Sequence, residues 1–131
     1  MSILAIDYWD KRCWLAIEVE NIAIPKEIVD RQKINTYISK YIKQYNINII
    51  VVWLPYDLYW KDLKQLEKTK RFIRELKNKY KSVKIDSIDE RYTTFEAERV
   101  LESIWIDEKK WKKDAISAAL ILESYINNIK R

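Results

Sequence analysis

The run Ile47–Leu54 constrains the fold more strongly than any other feature of the chain. It is almost entirely apolar and rich in β-branched residues, a composition that favours a strand buried on both faces at the centre of a sheet. Pro55 follows directly and is expected to stop the strand. Because a strand of this kind must be covered on both sides, the chain is expected to supply amphipathic helices for both faces of the sheet.

Hydrophobic periodicity predicts the remaining elements. Strands are predicted over Ser2–Tyr8, Trp14–Val19, Ile22–Ile24 before Pro25, and Val83–Ile88. Helices are predicted over Arg31–Tyr45, Asp62–Tyr80, Thr93–Leu101, where Thr93 begins a capping box, and from Asp114 onward. The order β-β-β-α-β-α-β-α-α is typical of an α/β fold in which a mixed five-stranded sheet carries helices on both faces.

The spacing of apolar residues also predicts which side of two helices faces the core. In the second helix these residues are Leu63, Leu66, Ile73, Leu76 and Tyr80. In the last helix they are Ala115, Ala118, Ala119, Leu122, Ile126 and Ile129.

The length and composition favour a single domain over residues 1–131. The chain has 131 residues and is 48% hydrophobic, enough for one core and too little for two ordinary domains. It has no run of about 18 apolar residues, and Met1–Ile6 lacks the pattern of a secretory signal. We therefore expect a soluble, intracellular protein with no membrane partner. We also expect either a monomer or a weak homodimer.

The residues available for metal binding exclude the usual zinc sites. Cys13 is the only cysteine and the chain has no histidine, so neither an internal disulfide nor an ordinary zinc ligand set can form. Any bound metal must be held by oxygen atoms.

The charge balance favours a polyanionic partner. Lysine and arginine number 25 against 20 acidic residues, giving a formal charge of +5. Basic residues also outnumber acidic ones between Lys61 and Lys84, which fits either a path for nucleic-acid phosphates or an ordinary solvated helix face.

Acidic residues lie at the ends of three predicted elements. Asp7 ends the first strand, Asp89 and Glu90 end the last strand, and Asp114 begins the last helix. Carboxyl ends of central strands gather at one edge of an open α/β sheet, and clustered carboxylates are what a two-metal phosphodiester cleavage requires. The alternative is that Asp7 and Glu90 are simply polar strand ends and that Asp114 favours a helix start.

Four ordered segments of the chain closely resemble one protein family. They are Ile3–Arg12, Val51–Pro55, Asp89–Glu98 and Asp114–Leu122. The family is that of the pre-16S ribosomal RNA nucleases, also described as Holliday-junction-resolvase-like, within the ribonuclease-H-like superfamily. The segment Asp89-Glu90-Arg91-Tyr92-Thr93-Thr94 is the most specific part of this resemblance.

The resemblance implies an activity and a set of site residues. It implies a Mg2+-dependent nuclease, with Mn2+ as a possible substitute, that matures the 5′ end of precursor 16S ribosomal RNA in the cytoplasm. Resolvase-type DNA cleavage and a catalytically silent nucleic-acid-binding module are the alternatives. The implied catalytic and metal-binding residues are Asp7, Glu90 and Asp114, with Asp89 less certain. Lys11, Arg12, Arg91 and Thr94 would contact phosphate or support the acids, and Arg91 fits an orienting ion pair equally well.

Tryptophan occupies positions where this family has glycine. The chain has no glycine and six tryptophans, whereas average usage would give about nine glycines. The family pattern has glycine at positions 9, 14, 53 and 60, and positions 105 and 111 would also suit glycine. Either these are genuine tryptophans, which Trp14 and Trp53 could be as core residues, or the gene encodes glycine by a reassigned UGA codon. A genuine Trp9 would crowd the entrance beside Asp7.

The second explanation makes a prediction about the gene. If UGA stands for glycine in the source organism, all six tryptophan positions will carry UGA, because UGG would have no reason to coincide with glycine sites. Sequencing the gene and measuring the mass of the natural protein provide the test. UGG codons at these positions would refute the explanation.

Overall fold

The predicted five-stranded mixed sheet is present in a computed structural model that describes residues 2–54, 63–89 and 113–129. Its strands are β1 (Ile3–Tyr8), β2 (Arg12–Val19), β3 (Ile22–Asp30), β4 (Ile49–Leu54) and β5 (Lys84–Asp89). A short 3-10 turn at Arg31–Lys33 precedes α1 (Ile34–Tyr45), and the other helices are α2 (Leu63–Lys79) and α3 (Lys113–Ile129). The predicted helix Thr93–Leu101 and the strand stop at Pro55 lie outside the described residues.

β1 lies at the centre of the sheet, whose order is β3-β2-β1-β4-β5. β2 pairs antiparallel with both β1 and β3, while β4 pairs parallel with both β1 and β5. Because β1, β4 and β5 are parallel, their carboxyl ends all lie at one edge of the sheet. This edge contains Asp7 and Asp89.

β3 is longer than predicted. The expectation that it ends before Pro25 is wrong, because the strand continues through Pro25 to Asp30. Pro25 lies opposite Ala16, where the register of the β2–β3 pair shifts between Leu15 and Ala16. Proline has no backbone N–H to donate to the neighbouring strand. An edge strand with a local irregularity tolerates this missing hydrogen bond.

Helices cover both faces of the sheet, as predicted. α1 and α2 pack on the face formed by residues such as Leu4, Ile6 and Leu15. α3 packs on the opposite face against Ile3, Ala5 and Val51. We call this second side the α3 face.

The inward sides of α2 and α3 differ in part from the prediction. Leu66 and Leu76 are buried in α2 as expected, but Gln65, Thr69 and Phe72 are buried as well. In α3 the predicted Ala118, Ala119, Leu122 and Ile126 are buried, together with Ile121, Ser124 and Tyr125. Gln65 and Thr69 can be buried because each makes hydrogen bonds, including one of 3.2 Å from Gln65 Nε2 to Thr69 Oγ1.

In the described turns, residues other than glycine adopt the left-handed backbone conformation. Glu20 and Asn21 have φ of 52° and 66° in the turn between β2 and β3, and the Asn21 N–H donates a 2.9 Å hydrogen bond to Glu18 Oε2. Asn46, with φ 53°, ends α1. Asparagine tolerates this region better than most residues.

Within the described ranges, each helix is too short or too polar to cross a membrane.

The buried centre of β4 should dominate stability. Ile50 is 0% exposed, whereas Ile22 on β3 is 60% exposed. Ile50→Ala should lower the free energy of unfolding by about 2–5 kcal/mol, because it leaves a cavity in the core. The matched control Ile22→Ala should change it by less than about 0.5 kcal/mol. Urea denaturation followed by circular dichroism measures both, and similar losses for the two variants would contradict this account of the core.

Candidate active site

Asp7 is a buried carboxylate near the carboxyl end of the central strand. It is 6% exposed and follows Ile3 and Ala5 at alternating positions of β1, so it shares the α3 face with them. Trp9 Nε1 donates a 2.8 Å hydrogen bond to Asp7 Oδ1. A carboxylate held this way by a sheet is fixed in position and can serve as a ligand or a base.

The end of β5 lies at the same edge as Asp7. Asp89 is the last residue of β5 and pairs with Leu54 of β4, two strands from β1. Glu90 is the next residue in the chain, but it lies outside the described residues together with Arg91 and Thr94. Their site roles therefore stay predictions.

Asp114 lies in the first turn of α3. This helix covers the sheet face that carries Asp7, so both acids belong to the same side of the sheet. The Asp114 side chain is outside the described part of the structure, so its place in one site with Asp7 stays a prediction.

Lys11 lies in the turn between β1 and β2, and Arg12 is the first residue of β2. Both are exposed. They line a groove with Trp9, Asp10, Trp14 and Gln65, and Lys11 also borders a second groove with Asp30 and Arg31. The structure thus places two exposed cations four and five residues after Asp7 in the chain.

Three polar contacts that the sequence did not predict hold this turn in place. Gln65 Nε2 donates to the Tyr8 carbonyl oxygen at 2.8 Å. Lys68 Nζ forms a 2.9 Å ion pair with Asp10 Oδ1, and Arg31 Nε donates to the Asp10 carbonyl oxygen at 2.7 Å. The available signal was the spacing of Gln65 and Thr69, which places polar residues on the inward side of α2.

The ring of Tyr8 fixes the end of β1 from the other face. It stacks on Phe72 of α2 with ring centroids 4.0 Å apart and planes 11° apart. Since Tyr8 directly follows Asp7, this stacking and the Gln65 hydrogen bond both restrict movement of the carboxylate.

Two further tryptophans flank Asp7 on the neighbouring strands. Trp14 is the direct partner of Asp7 across the β1–β2 pair. Trp53 follows Val52, the partner of Ile6, on β4. Both indoles are partly buried against the cluster on the α3 face, so the side chains at positions 9, 14 and 53 surround one carboxylate. Trp60, Trp105 and Trp111 lie outside the described residues.

The thiol of Cys13 is unsuited to chemistry. Cys13 is 0% exposed, and burial is the main cause that raises its pKa to about 11, with a smaller contribution from the negative charge of Asp7. The thiol stays protonated at neutral pH, so it is a poor nucleophile and a poor metal ligand.

The donor atoms fit magnesium or manganese better than zinc. The chain has no histidine and its one thiol is protonated, which leaves carboxylate oxygens such as those of Asp7. Among the residues that the structure describes, no three acidic or cysteine side chains are close enough to hold a metal ion.

Comparison with known proteins decides the family. The sequence model of the RuvX family, described as Holliday junction resolvase, matches residues 1–128. The chain belongs to the RuvX family. Its members include nucleases, and this chain is an enzyme of that class.

Similar proteins extend along the whole of this RuvX-family chain. A relative from Karelsulcia muelleri, named as a pre-16S rRNA nuclease, is 35% identical over 95% of this chain and 97% of its own. A relative of the same name from Sulfurihydrogenibium sp. is 34% identical over 97% of this chain and 90% of its own. These relatives match the chain end to end.

A solved structure supports the fold independently. T. thermophilus RuvC in complex with a Holliday junction substrate superimposes with a TM-score of 0.74, covering 99% of this chain and 95% of that one at 14% identity. The RuvX-family chain therefore has the ribonuclease-H-like α/β fold that the sequence predicted.

The buried thiol gives this RuvX-family protein a testable pH response. Cys13 should react slowly with a thiol reagent at pH 8, because its pKa is raised to about 11 and the thiolate forms only as the pH approaches that value. Above the ordinary thiol pKa of about 8.5, ionisation favours the unfolded chain, so stability should also fall as the pH rises towards 11.

Absorbance-monitored labelling with Ellman's reagent measures the rate. The same protein in urea is the control and should react at once. Equally fast labelling of the folded and unfolded protein would contradict the buried position of Cys13.

Proposed function

We propose that this chain is a nuclease dependent on Mg2+ or Mn2+ that processes the 5′ end of precursor 16S ribosomal RNA during ribosome biogenesis in the cytoplasm. The observation that carries the proposal is the buried carboxylate of Asp7. It lies at the sheet edge where β5 also ends, on the face covered by α3. Carboxylates gathered at such an edge are suited to holding divalent cations against phosphate.

The proposed metal ligands are Asp7, Glu90 and Asp114. Asp7 contributes a carboxylate fixed by the sheet, Glu90 follows the last residue of β5, and Asp114 begins α3. When bound, divalent ions supply activation of a water molecule and stabilisation of the departing oxygen. The protein contributes the fixed spacing of the acids and a buried position that strengthens their interaction with cations.

The proposed phosphate contacts begin at the β1–β2 turn. Lys11 and Arg12 are exposed there and line the groove beside the site. Arg91 and Thr94 are proposed to complete this set, by contacting phosphate or by orienting a carboxylate.

A basic surface on α2 extends these contacts. Lys64, Lys68 and Arg71 are exposed at spacings of four and three residues, so they share one side of the helix. The Lys68–Asp10 ion pair joins this side to the β1–β2 turn. The segment fits either a path for nucleic-acid phosphates or an ordinary solvated helix face, and we propose the phosphate path because Lys68 reaches the turn that leads to Lys11 and Arg12.

Ribosomal RNA is the proposed substrate because relatives along the whole chain are named as pre-16S rRNA nucleases. We further propose that residues 1–131 form one domain that acts as a monomer or a weak homodimer.

Cleavage of four-way DNA junctions is the second candidate. The family description reads Holliday junction resolvase, and the superimposed RuvC chain was solved with a junction substrate. Both substrates are branched or structured nucleic acids with closely spaced phosphates, which the same carboxylates and cations would suit.

Substitution of Asp7 tests the activity. Asp7→Asn should reduce Mg2+-dependent cleavage more than about 100-fold, because an amide keeps the shape of the side chain but loses the charge that binds the cation. The assay uses a precursor 16S RNA and a four-way DNA junction as parallel substrates, with the site of RNA cutting mapped by primer extension.

Asp86→Asn is the matched control. Asp86 lies on β5 and accepts a 2.8 Å hydrogen bond from the Tyr125 hydroxyl, which an amide oxygen can still accept, so its cleavage rate should be unchanged. Cutting of RNA at the mature 5′ end supports the first candidate, and preferential cutting of the junction supports the second. Undiminished cleavage by Asp7→Asn would end the nuclease assignment of this site.

A further inference from the structure

The side chains at positions 9, 14 and 53 converge on the carboxylate of Asp7, although they come from three different parts of the chain. We infer that these positions control the access of metal and phosphate to Asp7, and that the working site requires small residues, glycine or alanine, at them. The inference rests on the proposed function, in which Asp7 binds the metal.

The strand register brings these side chains together. Trp14 lies directly opposite Asp7 on β2, and directly opposed residues of an antiparallel pair share a face. On the other side, Ile6 pairs with Val52, so the next residue of β4, Trp53, lies level with Asp7. Neighbouring strands are about 4.8 Å apart, which leaves a carboxylate between two indole rings little open space.

Trp9 acts on the carboxylate directly. Its Nε1–H donates a 2.8 Å hydrogen bond to Asp7 Oδ1. An indole N–H is a donor without acceptor capacity, so it occupies one of the lone-pair sites of the carboxylate and offers a cation nothing in return. With the ring in this position, Asp7 is only 6% exposed.

Trp14 fits poorly in its own surroundings. Its Nε1 is buried and has no hydrogen-bond partner among the described residues. A buried donor without a partner is unfavourable, and a residue without a polar side chain would remove that penalty. The position therefore gains nothing in hydrogen bonding from an indole.

The requirement concerns side-chain volume and not backbone conformation. Among the described residues, positive φ occurs at Glu20, Asn21 and Asn46, and none of the three tryptophans is included. Their backbone is thus compatible with any residue type. What the indoles change is the space beside Asp7, so small residues should open the site without altering the strands.

The indoles could instead form a stacking surface for bases, as aromatic side chains do in proteins that bind single strands. The packing disfavours this role. Trp14 and Trp53 are partly buried against the core cluster of the α3 face, and the Trp9 ring is tied to Asp7 by its hydrogen bond. A stacking surface needs a free ring face.

The experiment compares three full-length proteins: the unsubstituted protein, the glycine protein W9G/W14G/W53G, and the phenylalanine protein W9F/W14F/W53F. Mn2+ binding is measured by isothermal titration calorimetry, and cleavage is measured on the RNA and DNA substrates used for Asp7→Asn. The glycine protein should bind Mn2+ at least about 10-fold tighter than the unsubstituted protein, and it should cleave the nucleic-acid substrates faster. The phenylalanine protein is the matched control, because it removes the indole N–H groups and keeps most of the bulk. It should gain less than the glycine protein in both measurements.

Asp7→Asn in the glycine protein locates the effect and should abolish the gain in Mn2+ affinity. A gain that survives this substitution would overturn the inference, because the metal would then bind elsewhere. Equal Mn2+ affinity of the unsubstituted and glycine proteins would also overturn it. If the glycine protein does not fold by circular dichroism, W9A/W14A/W53A takes its place with the same expected results.

The inference and the proposed function can fail separately. A gain in Mn2+ affinity that depends on Asp7, without cleavage of either substrate, would support control of access by the three positions and contradict the proposed nuclease activity of the site.

Discussion

Parallel pairing of β1, β4 and β5 is the constraint on which the rest of the structure depends. The backbone hydrogen bonds of these strands align their carboxyl ends at one edge of the sheet, so Asp7 and Asp89 reach the same edge from positions far apart in the chain. Parallel strands are stable only when both faces are covered, and α1, α2 and α3 provide that cover. The position of Asp7 at this edge is therefore a consequence of the sheet topology.

Contacts from α2 and from the end of β3 stabilise the site beyond the sheet itself. Gln65 donates to the Tyr8 carbonyl oxygen, while Lys68 contacts the Asp10 carboxylate and Arg31 donates to the Asp10 carbonyl oxygen. The turn that carries Lys11 and Arg12 is thus fixed to two other elements. Such contacts restrict movement of the turn that follows Asp7 in the chain. Each of these residues acts on the site through the backbone or through Asp10.

Most of the fold could be predicted because its signals are local. The apolar β-branched run at β4 and the repeats of three and four residues in α1 and α2 reflect how strands and helices bury their own side chains. Where the prediction was wrong, the cause was a partner distant in sequence. β3 continues through Pro25 because β2 accommodates it, and Gln65 and Phe72 are buried because β1 ends beside them. None of these partners is visible in the residues next to the position concerned.

The sequence by itself determined the α/β class, the order of the elements, the oxygen-only chemistry of any metal site and the candidate acids, because residue type and periodicity are sufficient for these. Four resembling segments also pointed to the family. Only the tertiary structure decided that residues 9, 14 and 53 surround Asp7, that Cys13 is buried with a raised pKa, and that Lys68 links α2 to the β1–β2 turn. These features depend on strand register and on packing between elements, which arise when distant parts of the chain meet.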